Sequence, residues 1–192
     1  MTHSTILLLN LFLSLIYFIL DLKNRINFKS IKIIIFFTLF LNILARVYLS
    51  YLVYLNWSRN ELGRLLLENF NYFIFYVFSN YFYEFIISIL WSVFFLSLMF
   101  ILNFIFKDIL FYKEEFLIIF LAILLASWPF NLFYPIIFFL FVFFGFFGKI
   151  LLMNFNATKT RISARRFHFV FSMILIILNY FLGNRLIFLK LG

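Results

Sequence analysis

A long apolar stretch of this chain runs from Phe70 to Phe106, and Glu84 is its only charged residue. A helix of about 20 apolar residues already crosses the hydrocarbon core of a bilayer. The whole chain is 67% hydrophobic and only 12% charged, so a water-soluble domain has too little polar surface to cover such a segment. We therefore predict an all-α, polytopic transmembrane helical bundle that forms one domain over residues 1–192.

Further candidate spans lie on both sides of this stretch. Two of them, Ile6–Leu20 and Ile31–Leu55, precede it, and Phe167–Leu182 is the final one. The long stretch itself exceeds one perpendicular crossing, because about 20 residues suffice. We therefore place a third span at Phe85–Phe106 and expect Leu62–Tyr83 to lie partly in the membrane interface.

An amphipathic segment connects the second and third spans, between Asn56 and Asn71. Ser58 is followed three residues later by Glu61, which is a capping-box pattern for a helix start. Three leucines then fall on one helical face: Leu62, Leu65 and Leu66. The pattern predicts a short interfacial helix that is anchored by Trp57.

Two prolines, Pro129 and Pro135, interrupt the apolar block from Phe116 to Met153. Each proline removes a backbone donor and disfavours helix in the residue before it. Non-helical backbone at membrane depth is tolerated only inside protein or beside water. The segment is therefore either a turn at the interface that joins two spans, or a broken helix within the membrane.

The charges of the loops favour the turn. Residues 21–32 carry four basic side chains and one acidic one, and residues 149–166 carry five basic side chains and no acid. If both loops lie on the positive side, an even number of spans separates them. The proline block then contributes two spans, which makes six in all. Because Phe116–Trp128 corresponds to only about 20 Å of helix, five spans with a kinked fourth is the alternative.

Charged residues inside the spans are the candidates for function. Arg46 interrupts the second span and Glu84 lies at the edge of the third. An intramembrane charge is expensive and is by default a functional hypothesis. If these helices pack together, the two side chains can pair and contribute to a proton path. The alternative is that Arg46 snorkels from a helix end and Glu84 marks the membrane boundary.

A basic segment precedes the last span. Its cationic side chains are Lys159, Arg161, Arg165 and Arg166. Such a cluster favours contact with anionic lipid, such as cardiolipin, or with an acidic partner subunit. The alternative is a purely topological role, in which these charges only orient the helices.

Several classes of function are not indicated by the sequence. The net charge is +9, but no basic stretch is interleaved with exposed stacking aromatics, so we predict no nucleic-acid partner. The chain has no cysteine, and its one interior histidine, His168, lies at a helix start where a haem ligand is not expected. Phosphate-loop, nucleophile-elbow and zinc-protease motifs are missing. We therefore predict no catalytic residue, no metal site and no cofactor.

The residue usage is biased in both the spans and the loops. Phenylalanine occurs 35 times and tyrosine 11 times, whereas glycine occurs five times and proline twice. AT-rich codons encode Phe, Ile, Tyr, Asn and Lys, and the loops are correspondingly rich in Asn and Lys. By composition, the chain resembles a hydrophobic membrane subunit of a respiratory complex encoded in an AT-rich protist mitochondrial genome.

This resemblance implies a multi-pass protein of the mitochondrial inner membrane, with other hydrophobic subunits of a large complex as its partners. Among the possible complexes, complex I is the first choice because it needs the most such subunits. The expected roles are packing, lipid binding and part of a proton path. The segment Ser163–Phe167 resembles the arginine helix of ATP synthase subunit a, although His168 and Phe169 replace the small and amide residues expected after the arginine. A subunit a-like piece, an oxidase-associated subunit and a stand-alone transporter or enzyme are the alternatives.

Overall fold

A computed structural model of the protein describes residues 2–23, 26–105, 111–152 and 165–183. This part of the chain consists of helices and short turns and contains no strand, which confirms the all-α prediction. The α-helices are Thr2–Leu22 (α1), Phe28–Arg59 (α2), Glu61–Glu68 (α3), Phe70–Val77 (α4), Tyr83–Ile105 (α5), Lys113–Ala126 (α6), Tyr134–Leu152 (α7) and Arg165–Leu182 (α8).

Three helical stretches are long and apolar enough to cross a membrane: Ser4–Leu22, Phe28–Arg59 and Phe70–Ile105. Two further apolar helices are shorter, at Phe130–Phe144 and Phe167–Leu182. The described helices therefore include several of membrane length, and the number of six spans stays a prediction.

The third long helix begins earlier than the sequence pattern predicts. A π-helical segment, Phe78–Phe82, joins α4 to α5, so that a single helix of 36 residues runs from Phe70 to Ile105. The hydrogen bonds of a π-helical turn span one residue more than those of an α-helix, and such a turn does not end the helix. The helix is thus continuous across the predicted division between an interfacial Leu62–Tyr83 and a span from Phe85, and that division stays a prediction. Glu84 lies within the continuous helix rather than at its edge.

The amphipathic helix α3 is present, but its predicted cap is wrong. Helix α2 continues through Ser58, and Asn60 caps α3 instead by accepting a hydrogen bond from the Leu62 amide at 3.3 Å. A Cβ atom added to Gly63 would lie only 2.5 Å from the Trp57 carbonyl oxygen, so this tight corner requires glycine. The leucines of the apolar face are exposed, with Leu62 at 72%.

Helix α6 forms the centre of the bundle. It packs against α1, α2, α5 and α8, and apolar side chains on all of its faces are buried. A helix that is hydrophobic all round belongs inside a bundle. Helix α6 is also short, at about 21 Å. The surrounding helices direct many large apolar side chains outward; Phe104, for example, is 82% exposed. Exposed apolar surface on this scale marks contact with a membrane or with other proteins.

Helices α1 and α2 run antiparallel. Asn42 contacts Asn10, while the earlier Thr38 contacts the later Tyr17, so α1 and α2 point in opposite directions. The end of α1 and the starts of α6 and α8 meet around Arg165, and we call this region the Arg165 end. At the opposite end, α2 and α4 extend together as an aromatic corner in which Trp57 packs against Tyr72, Phe73 and Tyr76.

Candidate polar site within the bundle

Arg46 lies inside the bundle and is only 4% exposed. Its Nε donates to the Tyr81 carbonyl oxygen at 2.8 Å, which connects α2 to the π-helical segment. One terminal nitrogen donates to the carbonyl and side-chain oxygens of Asn42, at 3.0 and 2.9 Å. The guanidinium also lies over the Phe85 ring, 4.3 Å from its centroid. This geometry favours a buried role for Arg46 over snorkelling to a helix end.

Arg46 and Glu84 line the same small cavity. The cavity also contacts polar side chains of α5 and of the α6–α7 turn, including Ser88 and Ser127. Its volume is about 10 Å³, roughly what one ordered water occupies. The Glu84 carboxylate interacts electrostatically with the Arg46 guanidinium across this space. The fold thus brings together the two charged residues that the sequence singled out.

A chain of buried hydrogen bonds connects Arg46 of α2 to α1 and to the turn that follows α6. The Asn42 side-chain amide donates to Asn10 Oδ1 at 3.0 Å, and the Asn10 amide donates to Ser127 Oγ at 2.9 Å. We call these four side chains the Arg46 network. All four are buried, and three of them come from positions within helices that otherwise read as apolar spans. Such a network is stabilising only when its members are satisfied, as those four are here.

The chain reverses direction next to this network. Helix α6 ends at Ala126, and a 3₁₀ turn, Phe130–Phe133, leads into α7. Pro129 lies in the turn, and Pro135 lies in the first turn of α7, where its missing N–H leaves no bond unmade. The proline segment is therefore a turn. Ser127 contacts Asn10, which lies about 18 Å along α1 from the Arg165 end, so the turn is inside the bundle.

Neighbouring helices satisfy the non-helical backbone of this turn. The Trp128 amide donates to Ser88 Oγ of α5 at 2.9 Å, and the Trp128 carbonyl accepts from the Asn179 side chain of α8 at 3.2 Å. The Trp91 indole donates to the Asn131 carbonyl at 3.0 Å. Buried backbone groups need such partners, which explains why polar residues interrupt α5 and α8 at this level.

Ser127 offers a test of the strained turn backbone. Its φ of 60° and ψ of 153° form a conformation that side chains disfavour and glycine adopts freely. Ser127→Gly and Ser127→Ala both remove the hydroxyl that Asn10 uses. We expect the glycine variant to be the more stable of the two by about 1 kcal/mol. Thermal unfolding in detergent measures the difference, and equal melting temperatures would contradict the strain.

An ion cluster closes the bundle at the Arg165 end. Arg165 Nε donates to the Asp21 carboxylate, and another of its nitrogens donates to Glu114 at 2.9 Å. A third nitrogen donates to the Ile26 carbonyl. Asp21 is only 2% exposed, whereas Glu114 is 41% exposed and reaches the surface. The cluster therefore connects α1, α6 and α8 at their ends.

This cluster changes the interpretation of the basic segment. Arg165 forms ion pairs with two carboxylates of the same chain, so binding lipid is not the sole role of its charge. Lys159 and Arg161 lie outside the described residues, as does the side chain of Arg166. The sequence pattern did not single out Asp21 and Glu114. Asp21 follows an apolar run and Glu114 precedes one, so each has the appearance of an ordinary charge at the boundary of a span. No group of three or more metal-ligating side chains occurs in the described part of the chain.

Comparison with known proteins adds no assignment. No family model matches the chain, and neither the curated proteins nor the solved structures contain a match.

Proposed function

We propose that this chain is a multi-pass α-helical membrane subunit that carries part of a proton path within a larger assembly. The observation that carries the proposal is the buried cavity shared by Arg46 and Glu84. Burying a guanidinium inside an apolar bundle is costly, and intramembrane charges with a charged partner mark ion and proton pathways.

The groups around the cavity divide the chemistry between them. The Glu84 carboxylate accepts and releases a proton next to the fixed positive charge of Arg46. The hydroxyls of Ser88 and Ser127 each donate and accept hydrogen bonds, and the cavity between these groups has the volume of one water molecule. The amides of Asn10 and Asn42 hold Arg46 and Ser127 in place.

The composition and the exterior of the subunit support a proposal for its surroundings. We assign it to an oxidative-phosphorylation complex of the mitochondrial inner membrane, with the membrane arm of complex I first. The AT-biased residue usage supports a mitochondrial genome, and the apolar exterior supports contact with lipid and with other hydrophobic subunits. Anionic lipid at the basic segment completes the expected partners.

A stand-alone transporter is the second candidate, and the α6–α7 turn inside the bundle favours it. Interrupted helices near the membrane centre are typical of transporter substrate sites. Purification separates the two proposals: a large assembly with quinone-linked activity supports the subunit, and a monodisperse chain that is stable alone in detergent supports the transporter. The subunit a-like alternative needs an arginine at mid-membrane, and Arg165 instead pairs with acids at the first residue of α8.

Replacing the carboxylate tests the proton path directly. We expect Glu84→Gln to lower proton translocation at least about tenfold, because a positioned acid–base group contributes on this scale or more. The measurement is acidification of liposomes that contain the purified assembly, followed with a pH-sensitive dye. Glu61→Gln on the exposed helix α3 is the matched control and keeps the full rate. An unchanged rate in Glu84→Gln would refute the proposal.

A further inference from the structure

Helix α8 carries a buried polar stripe that the Arg46 site does not include. His168, Ser172 and Asn179 lie at intervals of four and seven residues, which places them on one helical face. Each is at most 1% exposed, and α8 packs against α1, α6 and α7 in the bundle. Apolar residues fill the rest of the interior face, with Phe169, Leu175 and Ile176 buried there. A helix that only packs has no need for three buried polar side chains.

Each side chain of this stripe has a buried polar atom without a hydrogen-bond partner among the described residues. These atoms are His168 Nε2, Ser172 Oγ and Asn179 Oδ1, and both side-chain amide atoms of the nearby Asn131 share this property. Leaving such a group unsatisfied costs about 1–3 kcal/mol, so most buried polar groups are paired. Ordered water is the usual partner of buried polar groups that protein atoms do not reach.

The stripe begins beside the ion cluster at the Arg165 end. His168 lies three residues after Arg165, whose guanidinium binds Asp21 and the partly exposed Glu114. The other ring nitrogen of His168 is 2.6 Å from the Tyr134 hydroxyl, which fixes the ring and leaves Nε2 for a further partner. This end of the stripe is thus close to a charged side chain, Glu114, that reaches the surface of the bundle.

The stripe ends beside the turn that holds the Arg46 network. The Asn179 amide donates to the Trp128 carbonyl, and Trp128 follows Ser127 directly in the chain. Ser127 in turn accepts from Asn10 and lines the Arg46–Glu84 cavity. Polar groups therefore follow one another from Glu114 at the Arg165 end to Glu84 on the far side of the turn.

We propose that His168, Ser172, Asn131 and Asn179 bind a file of ordered water molecules that connects the Arg165 cluster to the Arg46–Glu84 cavity. This inference rests on the proposed function and supplies the second half of its proton path. The helical rise separates His168 from Ser172 by about 6 Å, a distance that one water bridges. It separates Ser172 from Asn179 by about 10 Å, a distance that two or three waters bridge. A proton that enters the file at one end displaces one at the other, with only O–H bonds exchanged.

Ser172→Ala is the decisive variant. It deletes one water-binding oxygen, so we expect at least a tenfold lower rate of proton translocation in liposomes that contain the purified assembly. Its melting temperature should stay equal or rise, because the deleted hydroxyl has no protein partner in the described bundle. Ser97→Ala is the matched control, since Ser97 is an exposed serine of α5 that bonds the Val93 carbonyl of its own helix. The control keeps the rate of the unmodified protein.

A high-resolution map of the assembly gives a second, independent measurement. The inference expects ordered density within hydrogen-bonding distance of Ser172 Oγ and His168 Nε2. It is overturned if Ser172→Ala keeps the full rate while Glu84→Gln loses it, a result that leaves the proposed function intact. It is also overturned if Ser172→Ala loses rate and melting temperature together and the map shows no density there. Failure of the unmodified assembly to move protons instead removes the proposed function itself.

Discussion

Arg46→Leu is expected to destabilise the protein by about 3 kcal/mol, because it removes three hydrogen bonds of a buried charged group. The leucine leaves Glu84 without the positive charge in its cavity and removes the donor that Asn42 Oδ1 uses. The hydrogen bond between α2 and the π-helical segment at Tyr81 is lost as well. Equilibrium unfolding in detergent, followed by helical circular dichroism, measures this free energy.

Two further variants separate charge from packing at Arg46. Arg59→Leu removes an exposed arginine from the end of the same helix and should change the free energy of unfolding by less than about 0.5 kcal/mol. Arg46→Lys keeps the charge but loses the planar fork that reaches Tyr81 and Asn42 together, so we expect an intermediate loss. If Arg46→Leu unfolds like the unmodified protein, the guanidinium does not hold the bundle together.

Arg165→Met is expected to destabilise the protein by about 3 kcal/mol or more, because the buried Asp21 then keeps its charge without a partner. The same unfolding measurement in detergent applies. Arg64→Met, at an exposed arginine of α3 that bonds only the Ser58 carbonyl, is the control and should have little effect.

A double-mutant cycle isolates the ion pair itself. Asp21→Asn removes the buried charge, so adding it to Arg165→Met should recover part of the lost stability. We expect a coupling free energy of about 1–3 kcal/mol between the two positions. Additive effects of Asp21→Asn and Arg165→Met would mean that the guanidinium acts mainly through Glu114 and the Ile26 carbonyl.

The candidate site was only partly predictable from the sequence. Arg46 and Glu84 stand out because a charge in an apolar run is visible without any structure. Asn10, Asn42 and Ser127 do not stand out, because single polar residues are common in apolar helices and reveal nothing about their neighbours. Their pairing depends on helix rotation and register, which distant packing contacts determine.

The helix boundaries were also only partly predictable from the sequence. The capping pattern at Ser58 is locally valid, but α2 continues past it and the Gly63 contact with Trp57 places the corner at Asn60. The π-helical segment is equally hidden, since nothing in the residues Phe78–Phe82 distinguishes it from regular α-helix. The short α6 reads as an incomplete span, whereas packing makes it the buried centre of the bundle.

The sequence by itself determined that the chain is helical and has an apolar exterior, because apolar residues in such numbers leave no other way to satisfy the backbone in lipid. It also determined where the charged exceptions lie. Only the tertiary structure decided that Arg46 faces Glu84, that Arg165 joins Asp21 to Glu114, and that the proline turn lies inside the bundle. These arrangements join residues far apart in the chain, and their free energy comes from contacts that exist only once the helices have packed.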